Sequence, residues 1–385
     1  MMNFDFQNPT RIIFGEGSIA KLAKLLPESA RVLILYGSSS AEKNGTLEQV
    51  RNALGARGFV EFGGIEANPC FETLMQAVEL ARREKVDFLL AVGGGSVIDG
   101  SKFVAAAIPY AGDPWEIVTS FGAKVHSALP FGTVLTLPAT GSEMNNGAVI
   151  SRRDQPDKLP FSSRKVYPQF SILDPTRSYS LPPRQVANGI VDAFVHVLEQ
   201  YLTYPVEAAV QDRFAEGLLQ TLIEIGPRTL AEPENYVARA NLTWTATLAL
   251  NGLIGAGVPQ DWSTHLIGHE LTALYGLDHA RSLAVVLPAM LRVRRADKLA
   301  KLVQYAERVW NIYDGAAEQR ADAAIEKTVA FFESLGVPTR LAAHELGEEA
   351  IVAVLASLQA HGMTQLGERK DVTPEVCRTV LHSAL

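Results

Sequence analysis

The sequence predicts an open, mainly parallel α/β sheet domain over residues 1–180, followed by an all-helical domain over residues 181–385. Two observations carry this reading. The first part alternates short, continuous apolar runs with amphipathic stretches, a pattern that fits buried parallel strands covered by helices. Beyond Leu181 the period becomes helical, and no convincing strand follows. Strand, helix, strand in repetition argues for an open α/β sheet, whose ligand crevice lies at the carboxyl ends of its strands.

The strand-like runs are Arg31–Gly37 (RVLILYG), Asp87–Ser96 (DFLLAVGGGS), Thr133–Ser142 (TVLTLPATGS) and Ser171–Pro175 (SILDP). Each is rich in branched residues and stops at small ones. Helical patterns fall at Phe71–Arg83 and Ile98–Ile108. Pro182 and Pro183 then open a helical stretch toward Thr203, followed by Ala208–Ile225, Tyr236–Asn251 and Ser282–Trp310. Thr373–Pro374–Glu375 reads as a helix start, with Thr as N-cap and Pro at the first helical position. The break near Ser180–Pro183 is the expected domain boundary, and no internal repeat is found.

Hydrophobic residues make up 47% of the chain, enough for a large core, and the formal net charge is -7. That balance argues against nucleic acid or an anionic membrane as the main partner, because either needs a basic face. The two cysteines, Cys70 and Cys377, build neither a disulfide framework nor a thiolate zinc site. The N-terminal MMNFDFQNPT lacks the pattern of a signal peptide, and the apolar runs are far below membrane-spanning length. A cytoplasmic location is expected.

Gly93–Gly94–Gly95–Ser96 follows an apolar strand and precedes a helical run containing Asp99 and Lys102. Glycines admit a pyrophosphate close to the backbone, and a helix N-terminus offers free N–H groups and partial positive charge. The alternative is a flexible turn. The strand-before, helix-after context favours phosphate binding, although this is not the G-x-G-x-x-G fingerprint. At the end of the Arg31–Tyr36 run the chain reads Gly37–Ser38–Ser39–Ser40. Its hydroxyls and N–H groups could hold a 2′-phosphate, or the serines could merely cap the next helix. The residues alone leave both open.

Asp192 and His196 are four apart, as are His265 and His269, and His279 follows beyond a turn at Gly276. Residues four apart share one helix face. A single such pair is more often a surface pair or cap. Two clusters in apolar surroundings, VDAFVHVLE and HLIGHELTALYGLDH, point instead to a metal, and imidazoles with a carboxylate suit Zn²⁺ or Fe²⁺. His269–Glu270 does not begin an H-E-x-x-H motif, because Ala273 stands where the second His is needed. His126, His344, His361 and His382 read as surface residues.

Together, GGGSVIDGSK (Gly93–Lys102), LPATGSEMNNGAVIS (Leu137–Ser151), LPPRQVANGIVDAFVHVLEQY (Leu181–Tyr201) and HLIGHELTALYGLDH (His265–His279) resemble the iron-containing (group III) alcohol dehydrogenase family, in its order and over essentially the whole chain. They look closest to its NADPH-dependent aldehyde reductase and butanol dehydrogenase branch. The resemblance implies a dinucleotide-binding α/β domain, a helical domain, and a metal in the cleft between them. It places the ligands on Asp192, His196, His265 and His279, and leaves His269 near the substrate without binding metal. It further implies that Thr140–Glu143 packs against the cofactor with Thr136, that Asn146 faces the nicotinamide or substrate, and that Lys158 joins the ribose-binding wall. Members specific for NAD tend to carry an acidic residue where this chain has Gly37, which tips the serine loop toward NADP(H). Iron- and zinc-binding members share these ligands, so the family does not choose the metal.

The implied chemistry is direct hydride transfer between NADP(H) and a small aldehyde or primary alcohol, with His269 or a ribose-hydroxyl and water chain supplying the proton. Leu253, Ile254, Trp262 and Leu266, with Asn146, predict a pocket for uncharged substrates. A homodimer is the expected assembly. A dehydroquinate-synthase-like lyase would need basic residues converging on an anionic substrate, and His265–His279 contains none, with Arg281 alone just after. A non-catalytic metal-binding protein would be expected to lack part of the ligand set, and nothing is missing.

Overall fold

The computed structural model describes residues 1–155 and 157–385, which form two compact units. One comprises Gln7–Pro182 with Pro233–Thr247, and the other Met1–Phe6, Pro183–Glu232 and Leu248–Leu385. The two are therefore not simple halves of the chain: a helical segment from the C-terminal part packs with the sheet, and the extreme N-terminus packs with the helices.

The first unit is built on strands β1 (Arg11–Phe14), β2 (Val32–Tyr36), β3 (Phe59–Phe62), β4 (Phe88–Gly94), β5 (Phe131–Leu137), β6 (Gly147–Arg152), β7 (Asp157–Ser162) and β8 (Phe170–Leu173). Six of them make one sheet in the order β1-β8-β5-β4-β2-β3, all neighbours parallel. Helices α1 (Ser40–Lys43), α2 (Thr46–Leu54), α3 (Phe71–Arg83), α4 (Gly95–Ala107) and α5 (Trp115–Thr119) lie between them in sequence. Val32, Ile34, Leu90, Val92 and Ile172 pack in one cluster with Leu47, Val50 and Leu54 of α2. The alternate residues Leu33, Leu35, Leu89 and Ala91 are equally buried. Both faces of the central strands are covered, which is why these runs are continuously apolar.

Four strands escape the apolar-run criterion. β1 and β3 are edge strands of four residues, and every residue of β3 is only half-buried. β6 and β7 form a separate antiparallel hairpin, with polar residues interleaved and Pro160 inside β7.

The second unit contains α6 (Pro183–Tyr201), α7 (Ala209–Ala231), α9 (Ser263–Tyr275), α10 (His279–Val293), α11 (Leu299–Val309), α12 (Ala317–Ser334), α13 (Glu348–Ala360) and α14 (Pro374–Ser383). Helix α8 (Tyr236–Ala249) lies mostly in the first unit, where Trp244 meets Phe14 edge-on and Thr247 donates to Glu143. No strand follows β8 among the described residues, and Thr373 caps α14 as expected. The single helical stretch expected over Ser282–Trp310 is instead two helices, α10 and α11. The polar run Arg292–Lys298 breaks the apolar stripe, and the turn carries Lys298 inward to buried carboxylates. Residues of α9, α10, α13 and α14, among them Ile267, Val286, Val354 and Val380, share one core.

Candidate metal centre and dinucleotide loop

Helix α6 buries polar side chains that need partners. Every residue from Val186 to Tyr201 is buried, Asp192, His196 and Glu199 included. Polar groups so placed need partners, since leaving one unsatisfied costs about 1–3 kcal/mol or more.

Asp192, His265 and His279 bring one potential ligand atom each to within 4.8 Å of one another. Asp192 Oδ1 lies 3.6 Å from His279 Nε2 and 3.7 Å from His196 Nε2. Among the described residues it accepts no hydrogen bond, although it is buried. His196 stands outside the tightest trio but touches it, its ring stacked on His265 at 4.7 Å. His269 is buried beside the group, with its ring 5.2 Å from His279 and 6.2 Å from His265.

The backbone explains this convergence. The i,i+4 spacing puts Asp192 and His196 on one face of α6. Helix α9 carries His265 and His269 and ends at Gly276, whose φ of 68° suits the left-handed turn. His279 then begins α10. Asp278, just before it, accepts hydrogen bonds from Arg184 (2.8 Å) and Asn188 (2.9 Å), both on α6. The start of α10 is thereby tied to the helix that bears Asp192.

The surroundings fit a cation. His265 Nδ1 contacts the Glu199 carboxyl, which also accepts the Thr264 N–H (2.8 Å) and His265 N–H (3.4 Å). Burial, reinforced by the Asp261 carboxylate, pushes Glu199 well above the ordinary carboxylate range, with the two N–H donors pulling the other way. Asp261 pairs with Lys298 (2.9 Å), which also meets Glu368 (3.0 Å). The buried carboxyls of Asp192, Glu199 and Asp261, with that of half-buried Glu368, outnumber the one buried ammonium among them, Lys298. A divalent cation would offset that excess and satisfy Asp192 Oδ1.

In the first unit, Gly37–Ser40 and Gly93–Ser96 leave the carboxyl ends of neighbouring strands, since Tyr36 pairs with Val92. There the sheet order reverses, with β3 on one side of β2 and β4 on the other. Such a switch point is the usual ligand crevice of an open α/β sheet. No side chain caps the N-terminus of α4. The glycines also serve packing: a Cβ on Gly93 would meet Val97 at 2.5 Å, and one on Gly95 would overlap the Thr140 side chain. Gly37 has no positive φ, and a Cβ there would lie 3.2 Å from the Ile65 carbonyl oxygen. Ser38, Ser39 and Ser40 are exposed, and Thr136 and Asn146 half-buried.

The charged residues near this loop are occupied within the protein. Asp99 accepts from Ser142 (2.5 Å) and the Val149 N–H (2.9 Å). Lys102, fully buried, donates to Ser142 (2.8 Å), Asn145 (2.8 Å) and the Gly147 carbonyl (2.6 Å). Burial pushes Lys102 down to about 8, against the pull of Asp99 and Glu143. Burial raises the Asp99 pKa above the ordinary carboxylate value, with Lys102, the Ser142 and Val149 donors and, most weakly, Lys158, buried on β7, pulling the other way. Asp99 and Lys102 thus pin the 140–149 segment to α4.

Among the other histidines, His126 and His382 are exposed as expected, but His344 and His361 are half-buried. His361 Nδ1 pairs with Glu270 Oε1 at 2.9 Å, a contact across ninety-one residues that local polarity could not reveal. Glu199, Asp261 and Lys298 likewise escaped sequence reasoning. Glu199 alone carries a local signal, a charged residue in the apolar run VDAFVHVLE; Asp261 and Lys298 stand in polar stretches and carry none.

Residues 9–175 match the iron-containing alcohol dehydrogenase family, and residues 186–385 match the Fe-containing alcohol dehydrogenase family, C-terminal. The chain is 60% identical to the NADPH-dependent aldehyde reductase YqhD of Escherichia coli, with all of both chains covered. It is 39% identical, again over all of both chains, to the probable NADH-dependent butanol dehydrogenase 1 of Bacillus subtilis. The crystal structure of NADH-dependent butanol dehydrogenase A from Thermotoga maritima superposes with a TM-score of 0.95 at 36% identity, covering 100% of this chain and 99% of that one.

Proposed function

This chain belongs to the iron-containing alcohol dehydrogenase family, and we propose that it is a metal-dependent, NADP(H)-linked alcohol dehydrogenase that works as a reductase of small uncharged aldehydes. The observation that carries the reading is the buried meeting of Asp192, His265 and His279. Residues 181–385 hold one divalent metal, Zn or Fe, on Asp192, His196, His265 and His279. Residues 1–180 bind the dinucleotide through Gly37–Ser40, Gly93–Ser96, Thr136, Thr140, Asn146 and Lys158, while Asp99 acts indirectly, by holding the 140–149 segment against α4.

When bound, the metal supplies Lewis acidity to a substrate oxygen and NADPH supplies the hydride. The chain's own residues do the rest. The free N–H groups of α4 receive phosphate charge, and Gly37 leaves room for a 2′-phosphate with no carboxylate to repel it. Trp262, edge-on to His196 and His265, gives the ligands an apolar wall that excludes water. His269 holds a proton at a ring nitrogen beside the ligands and passes it to the product oxygen, so that aldehyde, hydride and proton give the primary alcohol.

The enzyme is read as a cytoplasmic homodimer acting on small molecules, with no nucleic-acid or membrane partner. No helix among the described residues is long and apolar enough to cross a membrane. Metal content of the native protein, measured beside NADPH oxidation with a panel of aldehydes and sugar phosphates, tests the reading. Bound Zn or Fe with turnover of simple aldehydes is expected. Turnover of charged sugar phosphates alone would overturn it in favour of a lyase-like enzyme.

A further inference from the structure

We infer that Glu199 is a positioning residue of the metal centre, fixing the His265 ring in its Nδ1–H tautomer so that Nε2 is the nitrogen left to coordinate. The inference rests on the metal-site reading above and adds a residue that no spacing pattern picks out.

The geometry is specific. An imidazole has two nitrogens, and the hydrogen bond at one decides the chemistry of the other. His265 Nδ1 lies against Glu199 Oε2, while Glu199 Oε1 accepts the backbone N–H groups of Thr264 and His265. One carboxyl therefore holds both the first turn of α9 and the ring that α9 carries. The ring can swing about its side-chain torsions only by breaking that contact.

Glu199 is itself held on two sides. It sits on α6, two turns beyond Asp192, so ligand and orienting group share one rigid element. Its backbone carbonyl accepts the Asp261 N–H at 2.8 Å. Asp261 in turn accepts from the Ser263 N–H (2.9 Å) and hydroxyl (2.5 Å), which fixes the entry to α9, and its other oxygen is anchored by Lys298. The path from Lys298 through Asp261 and Glu199 to His265 is continuous and buried. A carboxylate spent only on capping α9 would need the two backbone donors alone; the third contact, on Nδ1, is what a ligand-orienting role requires.

The test compares full-length wild type with Glu199→Gln, which keeps the side-chain shape and removes the carboxyl. Zn²⁺ affinity is read by competition with a chromophoric chelator, and the His265 tautomer of metal-free protein by ¹⁵N NMR with labelled histidine. Wild type should show Nδ1–H at His265. Glu199→Gln should bind Zn²⁺ about 10–100-fold more weakly, the range of such orienting partners. An Nε2–H tautomer in wild type, or unchanged Zn²⁺ affinity in the variant, overturns the inference. If Glu199→Gln does not fold, the wild-type tautomer decides alone. Asp192→Ala and His279→Ala separate the two levels: if they lose Zn²⁺ and Glu199→Gln does not, only the role of Glu199 fails. If they too bind Zn²⁺ like wild type, the metal site itself is wrong and the inference falls with it.

Discussion

The two units handle charge in opposite ways. In the first, the ionised side chains near the glycine loop are consumed internally: Asp99 and Lys102 clasp the 140–149 segment to α4. What remains to meet a ligand is backbone N–H, hydroxyl and space. In the second, buried carboxyls and imidazoles converge with too little positive charge among them. An anion can be met by the backbone, because a helix N-terminus carries partial positive charge; a cation of this kind needs side-chain lone pairs. The first unit should therefore yield gradually to single side-chain changes, and the second abruptly.

The largest effect should come from the proposed ligands. His265→Ala or Asp192→Ala should lose metal and bring turnover to background together, measured by metal analysis beside NADPH oxidation. A His265→Ala protein with full metal and full turnover would erase the contrast between the units. Next, His269→Ala should keep its metal and lose about 10²–10⁴-fold in kcat, the usual worth of a positioned acid or base. If that variant loses metal and His265→Ala does not, the two histidines have been exchanged.

The supporting ion pair should register as stability. Although burial opposes it, the Lys298 ammonium and the Ser263 donors hold Asp261 below the usual carboxylate range. Asp261→Asn leaves Lys298 with Glu368 as its one charged partner and should cost about 1–3 kcal/mol of unfolding free energy at neutral pH. A carboxyl with a lowered folded-state pKa contributes stability above its unfolded value and loses it on acidification. The gap between wild type and variant in urea unfolding should therefore close as the pH falls below about 4. A gap that is constant with pH would remove the ion pair from the explanation.

The smallest effect sharpens the other side. Gly37→Asp should lower kcat/KM for NADPH by at least about fivefold relative to NADH, since a like charge at about 4 Å costs about 1–4 kcal/mol between water and a protein surface. The backbone there tolerates a side chain if the Ile65 carbonyl gives slightly. A wild type that prefers NADH would refute the 2′-phosphate reading.

How much the sequence revealed follows the same division. The strand runs, α3 and the Gly276 turn were legible because each depends on residues near in sequence. So were the i,i+4 pairs on α6 and α9. The choice of His279 over His269 as a ligand came from family resemblance, and the two rings stand only 5.2 Å apart. What stayed hidden rests on long-range contacts: Glu199 to His265 across α6 and α9, Lys298 to Asp261, and His361 to Glu270. Lys102 was visible as a lysine near the glycine loop, but its three acceptors lie forty or more residues away.

The pairing of β1 with β8 bears on how the chain is made. As the polypeptide leaves the ribosome, β1 emerges first and has no neighbour until β8, at the far end of the sheet segment, has been translated. The layer is still incomplete then, because Trp244, which meets Phe14 edge-on, and Thr247, which bonds buried Glu143, belong to α8 and arrive after α6 and α7. Nascent chains stalled before α8 should consequently be held by chaperones and cut readily by proteases, since long-range parallel pairing is slow and exposes its edges while it waits. A gene fragment ending at residue 180 would inherit the same defect permanently, whereas one that grafts Pro233–Thr247 onto its end would supply the missing cover.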